Sequence, residues 1–254
     1  MGINDYAAVA DLYDIYVPAT FDIDFFITET KKISGDVLEL MSGTGRVSIP
    51  LIEAGVNLTC VDKSAELNAV FAKKLEDLGL KAEIHQMDVR ELELGRQFAM
   101  AIIPFNSFSH ITSPVDQRKT LERIRQHLRP GGIFICTLTN PKVRQKTVDG
   151  QLRLLRIYPL PETGGELLLW IVENRVPEDA RIVEALQFYE EYDSRGVLFS
   201  KRYIELYYRF TQRDEFEALA RAAGFRVNAL YGDYSRISFN EDSPFMIWVL
   251  EKAD

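Results

Sequence analysis

Residues 37–46, VLELMSGTGR, constrain this chain more than any other stretch. An apolar run ends in a turn holding Gly43 and Gly45 and passes straight into the helical pattern of Val47, Ile49, Leu51, Ile52 and Ala54. Glycine adopts backbone angles that other residues resist and lets a ligand approach the main chain. The chain keeps this rhythm as far as Thr139. Apolar runs at Val56–Val61, Ala82–His85, Phe98–Ile103 and Ile133–Leu138 alternate with helical patterns over Ala65–Leu78 and Gln117–Leu128. The alternation predicts an α/β fold, a Rossmann-like, doubly wound and mostly parallel sheet, with ligands held at the carboxyl ends of its strands.

The flanks read differently. Tyr6–Tyr13 and Asp22–Lys32 are predicted as two helices separated by Pro18, forming an N-terminal lid over residues 1–34. After Asn140-Pro141 the pattern turns strand-like over Leu152–Tyr208, with turn signals at Pro161–Gly165, Pro177–Asp179 and Asp193–Gly196. This predicts an antiparallel β subdomain, residues 141–210, inserted into the core and covering the acceptor site. The core resumes with a helix over Asp214–Ala223 capped by Thr211, then strands at Phe225–Tyr231 and Pro244–Glu251. Residues 35–140 and 211–254 thus form one folding unit.

Composition removes several functions. A formal net charge of −8 opposes binding to phosphate backbones, so nucleic acid is not an expected partner. No apolar stretch approaches the roughly 18–20 residues that cross a bilayer, so no membrane partner is expected and a cytoplasmic location is. Cys60 and Cys136 lie in apolar runs without metal-ligand spacing, so they read as reduced core thiols and no metal is expected.

Three acids sit at telling distances from the glycine turn. Asp62 follows the second strand, where a carboxylate can accept from both hydroxyls of a ribose. Asp88 follows the third, where it can accept from an adenine amino group while the next backbone N–H faces the ring. Glu39 lies inside the first strand, where a carboxylate is costly unless hydrogen-bonded, and it reads as ordering the loop and attracting a cationic ligand.

With these residues the chain resembles a class I S-adenosylmethionine-dependent methyltransferase, and the likeness extends over nearly its whole length. The resemblance implies that Glu39, Met41, Gly43 and Gly45 wrap the methionine and ribose parts of S-adenosylmethionine, that Asp62 with Lys63 holds the ribose, and that Asp88 and Val89 meet the adenine. The loop at Pro104–Ile111, the Leu-Arg-Pro-Gly-Gly turn at Leu128–Gly132 and the AAGF finish also match the family. Met41 departs from it, standing where a small residue is usual. More narrowly, VADLYDIY and the inserted sheet resemble small-molecule N-methyltransferases of the amino-sugar type, implying a small-molecule methyl acceptor.

A nicotinamide-dinucleotide oxidoreductase is the main alternative. It fits poorly, because Ser48 stands where that fingerprint needs Gly or Ala and Glu39 would repel a pyrophosphate. An aminopropyltransferase would need an acidic cluster after the fourth strand, which is missing, while a non-catalytic S-adenosylmethionine-binding protein stays open on sequence alone. Tyr13 and Tyr16, bracketing the pocket from the N-terminal helix, and Phe105 are further candidates for contact with the cofactor, while Asn106 is expected to position the reactants beside the sulfonium and His110 to act as a base. His85 and His127 read as structural. Tyr203, Tyr207 and Tyr208, with Arg202 and Arg209, are expected on a strand presenting one face to the pocket, and the insert is also a possible homodimer contact.

Overall fold

The computed structural model describes residues 4–253, so the first three residues of the predicted lid and Asp254 lie outside the described residues. A 3-10 helix, Ala7–Leu12, runs into α1 (Tyr13–Tyr16), followed by α2 (Ile23–Thr30). Then come β1 (Val37–Leu40), α3 (Ser48–Glu53), β2 (Leu58–Asp62), α4 (Ala65–Leu78), β3 (Glu83–Gln86), β4 (Phe98–Ile103), α5 (Pro114–Gln126) and β5 (Leu128–Thr139). A short α6 (Pro141–Arg144) leads to β6 (Arg153–Leu160), β7 (Gly165–Val176), β8 (Asp179–Tyr192) and β9 (Leu198–Arg209). The last elements are α7 (Arg213–Ala222), β10 (Phe225–Tyr231) and β11 (Phe245–Lys252).

Seven strands form one sheet in the order β10-β11-β5-β4-β1-β2-β3. Only β11 runs against its neighbours; all other pairings are parallel. Strands β1, β2 and β4 are buried along their whole length because helices cover both faces, which is why their sequences are continuous apolar runs without alternation. On one face Leu121, Ile124, Phe216 and Ala220 of α5 and α7 pack on Phe134 and Trp248. On the other, Phe25, Phe26, Leu51, Phe71 and Leu75 of α2, α3 and α4 pack on Cys60 and Ile102. Helix α4 begins where the Ser64 hydroxyl accepts from the Leu67 N–H and ends at Gly79, whose φ of +66° suits a left-handed stop.

The antiparallel sheet β6-β7-β8-β9 stands apart, sharing no ladder with the larger one among the described residues. Its inner residues Leu169, Ile171, Val183, Ile204 and Leu206 pack on Val9, Leu12 and Tyr16, so the N-terminal segment and the four-stranded sheet share one apolar core.

Two local expectations need correction. The stretch predicted as a helix over Tyr6–Tyr13 is a 3-10 helix kinked at Val9, with an α-helical turn only from Tyr13. It is pinned ahead of its start, where Asn4 N–H donates to the Glu205 carbonyl of β9 and Asp5 Oδ1 accepts from Ala7 N–H. Anchoring of this kind overrides weak helical periodicity. Thr211 does not cap α7: Gln212 is the N-cap, its N–H donating to Glu215, and the buried Thr211 hydroxyl accepts from the Gln117 amide.

The N-terminal segment is tied to the glycine turn by a buried ion pair. Arg46 Nη1 and Nη2 donate to Asp22 Oδ1 and Oδ2 at 2.6 and 2.7 Å, and the same guanidinium reaches the Ala19 carbonyl and lies 4.4 Å from the Phe105 ring centre. Breaking a buried pair strands one charge, at a cost of about 3–5 kcal/mol. Asp22→Ala is therefore expected to destabilise the fold by about that amount in urea unfolding. A loss near zero would show that solvent reaches Arg46 freely.

Candidate active site

A cleft of about 920 Å³ opens along the carboxyl ends of β1, β2, β3 and β4, near the top of the roughly 300–1,000 Å³ range of small-molecule sites. Its first half is built from strand ends. Asp62, the last residue of β2, is buried with Oδ2 accepting from Gly43 N–H and Oδ1 from Ser64 N–H, each at 2.9 Å. One carboxylate thus joins the two turns. Burial pushes its pKa up, against the opposing pull of those N–H donors. At Gly43, φ is +57° and a Cβ would meet no protein atom within 4 Å, so the turn is open on its cleft side.

Met41 also lines the cleft and holds a φ of +58°, a left-handed conformation unusual for a side chain of its size. The departure from the family pattern noted in the sequence is thus accommodated as local backbone strain. Asp88 and Val89 line the cleft beyond Gln86 and Met87, and the Arg90 guanidinium grips both Asp88 oxygens, holding that carboxyl below its usual range. Lys63 and Phe105 are on the wall as well.

Three candidates stand behind the surface. Glu39 is buried under the turn and accepts from the Ser48 hydroxyl at 2.7 Å; burial raises its pKa to about 8, against the lowering by Ser48 and Arg46. The Glu39–Ser48 pair accounts for a serine where a dinucleotide site would need Gly or Ala. Gly45 packs against α4, where a Cβ would fall 2.2 Å from the Phe71 ring. Asn106 is turned inward, between its own loop and the end of β5: Oδ1 accepts from Thr139 N–H and Nδ2 donates to Ser109. None of the three lines the cleft.

The second half of the cleft is aromatic. Tyr13, Tyr16 and His110 line it together with Tyr6, Tyr158, Leu169, Gln187 and Tyr207. Tyr6, Tyr13, Tyr16 and Tyr189 form a run of edge-on contacts with ring centres 5.0–5.7 Å apart. Burial holds the Tyr13 phenol up at about 12 and lowers the pKa of His110, so both are uncharged at neutral pH. Of the three tyrosines of β9, only Tyr207 lines the cleft. Tyr208, the immediate neighbour of Tyr207, faces the other way and is buried against Glu173, whereas Tyr203 shares the face of Tyr207 but lies further back along the strand, 48% exposed. Arg209 is buried between Asp179 and Glu215, and Arg202 pairs with Asp11 and Glu191. Sequence reasoning missed Tyr6 and Gln187 at the cleft. The alternation of β8 could have signalled Gln187, a polar residue in register with the inward-facing Ala185 and Tyr189.

Residues 37–132, which carry β1 to the turn before the main run of β5, match the family model described as a methyltransferase domain. A glycine/sarcosine N-methyltransferase of Halorhodospira halochloris is 27% identical over 245 residues, covering 95% of this chain and 85% of that protein. The match to the family model identifies a methyltransferase domain within this chain. A second relative of the methyltransferase, a dTDP-3-amino-3,6-dideoxy-alpha-D-glucopyranose N,N-dimethyltransferase of Streptomyces fradiae, is 24% identical over 140 residues, 52% of this chain and 53% of that one. In fold, an S-adenosylmethionine-dependent methyltransferase from Clostridium acetobutylicum superposes with a TM-score of 0.83 at 19% identity, covering 98% and 99% of the two chains. The methyltransferase fits its methyl donor on its own terms: a buried carboxylate and an open glycine turn stand side by side on a cleft wall large enough for a nucleoside and a second molecule.

Glu39 yields a pH test. Its folded pKa of about 8 exceeds the unfolded value of 4.5, so between these limits the native state holds a proton that the unfolded state has lost. Stability conferred by the protonated form is therefore present below about pH 4.5 and is lost as pH rises through about 8. Glu39→Gln, which keeps the acceptor for Ser48, should remove this part of the pH dependence. Urea unfolding at pH 6 and pH 8.5 reads it, and identical slopes in both proteins would place the carboxylate in a wetter site than the structure shows.

Proposed function

We propose that this methyltransferase acts on an amine nitrogen of a small molecule bound in the aromatic half of the cleft. The observation that carries the reading is the division of one cleft into a half lined by strand-end acids and glycine and a half lined by tyrosines and an uncharged histidine. The two relatives named above, both N-methyltransferases by name, support it.

S-adenosylmethionine, when bound, supplies a methyl group on a sulfonium, an electrophile that needs alignment and a dry environment more than activation. In this reading Asp62 holds the ribose hydroxyls, with Lys63 beside it, while Asp88 and Val89 hold the adenine. Met41 and Gly43 form the wall along the ribose and methionine portions. Glu39, Gly45 and Asn106 act from behind, keeping the two loops in shape. Tyr13 and Tyr16 exclude water over the junction of the two halves, with Phe105 on the opposite wall, and His110 serves as the base for a protonated amine. Residues 141–210 roof the acceptor half through Tyr158, Leu169 and Gln187.

The outward face of that roof carries Leu154, Ile157 and Tyr203, each at least 40% exposed, and serves as the contact of a homodimer. The reading places the enzyme in the cytoplasm, in keeping with two buried free thiols, Cys60 and Cys136. Among the described residues no helix is long and apolar enough to cross a membrane, and no cluster of potential metal ligands is present.

Donor binding is tested by thermal shift. S-adenosylhomocysteine at about a hundred times its Kd should add roughly 2.7 kcal/mol of stability, whereas NAD should add none. Asp62→Asn should weaken S-adenosylhomocysteine binding about 10- to 150-fold, the equivalent of about 1.5–3 kcal/mol for a charge-assisted hydrogen bond. The acceptor class is tested by transfer of tritiated methyl to glycine, sarcosine and a nucleotide-linked 3-amino-3,6-dideoxyglucose. Methylation of hydroxyl compounds but of no amine would overturn the reading.

The roof is tested separately. Gln187→Ala is expected to lower turnover while leaving S-adenosylhomocysteine affinity unchanged, and Tyr203→Arg to lower the mass seen in sedimentation. A monomeric wild-type protein at micromolar concentration would remove the dimer.

A further inference from the structure

The aromatic half of the cleft holds one arrangement that alignment alone does not explain. His110 follows the loop after β4, and its Nδ1 lies 3.1 Å from the main-chain carbonyl oxygen of Tyr207 in β9. A carbonyl can only accept, so Nδ1 carries the hydrogen and Nε2 presents a lone pair. That lone pair faces the hydroxyl of Tyr6, 3.4 Å away, a separation of the kind that tightens when a substrate closes the site.

The geometry is held from three parts of the chain. Asn4 Nδ2 donates to the same Tyr207 carbonyl at 2.9 Å and to the His110 carbonyl at 3.4 Å, while Asn4 Oδ1 accepts from Tyr207 N–H at 2.6 Å. Asn4 thereby anchors the N-terminal segment to β9 two residues before Tyr6. The Tyr6 ring stands edge-on to Tyr13 on one side and to His110 on the other. Tyr207 turns its own hydroxyl away, to Glu184.

We propose that Tyr6 relays the proton of the bound acceptor amine to His110, with β9 setting the imidazole tautomer that makes this possible; the proposal rests on the amine reading above. The acceptor ammonium loses an N–H proton to the Tyr6 oxygen and its nitrogen recovers the lone pair. The phenolic proton of Tyr6 passes at the same time to Nε2 of His110, so the phenol is restored and the imidazole becomes imidazolium. That proton then leaves to solvent, and the nitrogen is free to attack.

Both groups are suited to this. Burial raises the Tyr6 pKa well above its ordinary value, keeping it a phenol, and lowers that of His110, keeping it a base at neutral pH. The groups acting on the pair are Tyr13 from the N-terminal segment, Tyr189 from β8 and Asp62 from β2, which raise the Tyr6 pKa further, the Tyr207 carbonyl from β9, and Lys63, whose positive charge further lowers the His110 pKa.

The first test does not use turnover. In 15N spectra of the full chain bound to S-adenosylhomocysteine, His110, assigned by its loss in His110→Gln, should show the Nδ1–H tautomer, and Tyr6→Phe should shift its Nε2 resonance. The second uses whichever amine of the panel above is methylated. Tyr6→Phe should lower kcat at least about a hundredfold, the lower end of the roughly 10²–10⁴-fold span of acid–base catalysis. S-adenosylhomocysteine affinity should be unchanged, which also shows that the variant folds, and the double variant with His110→Gln should be no slower than the slower single one. The acid limb of the wild-type pH profile should follow the His110 titration seen by NMR.

An Nε2–H tautomer, an unmoved Nε2 resonance, or wild-type kcat in Tyr6→Phe would each overturn the relay while leaving the amine reading intact. A panel with no methylated amine overturns both.

Discussion

The two hydrogen bonds that Asp62 accepts, from Gly43 N–H and Ser64 N–H, hold the site together. Parallel strands bring the ends of β1 and β2 within reach of one another, but they do not fix the turns that follow. A carboxylate with a backbone donor on each oxygen does so, and it takes the donors from both turns. With the first turn held, Gly45 can lie against the Phe71 ring and α3 can start at once, which places Ser48 over Glu39. With the second held, α4 starts at the cap made by Ser64.

Around this joint the N-terminal segment is fastened by polar contacts in addition to the apolar area it buries. Asp22 meets Arg46, and Asp14 meets both the Thr44 hydroxyl and Lys74. All three partners lie in or near the glycine turn or on the helix behind it. The short 3-10 and α-helical pieces would be unstable in isolation. They keep their shape because both ends are tethered and their apolar residues are shared with the four-stranded sheet.

What the sequence disclosed followed from range. The strands, the glycine turn, Asp62 and Asp88 are local patterns, set by burial on both faces of a parallel sheet and by chemistry within one turn of a strand end, and they were legible. Asn106 was recognised as a loop residue, but its partners Ser109 and Thr139 decide that it faces inward, and the second of these lies on another strand. The closeness of Tyr6 and His110 depends on Asn4 joining Tyr207, a contact spanning 203 residues that no periodicity encodes. Of the β9 tyrosines, Tyr207 and Tyr208 diverge by a local rule, being adjacent on a strand, whereas Tyr203 shares the face of Tyr207 and misses the cleft only through its place along the strand.

Among the described residues the two sheets share no hydrogen-bonded ladder, and this has a bearing on how such a chain can change over generations. In a single continuous sheet, a shift in one strand is passed to its neighbours through the ladder, so every part is inherited under the constraints of every other. Here the strands that carry Asp62 and the glycine turn and those of the four-stranded sheet are joined by side-chain packing and a few long-range polar contacts. Substitutions on β6, β7 and β8 can accumulate without moving Asp62 or the turn it holds. One half of the cleft can drift while the other is conserved, the condition under which a lineage acquires new acceptors without relearning how to hold its donor.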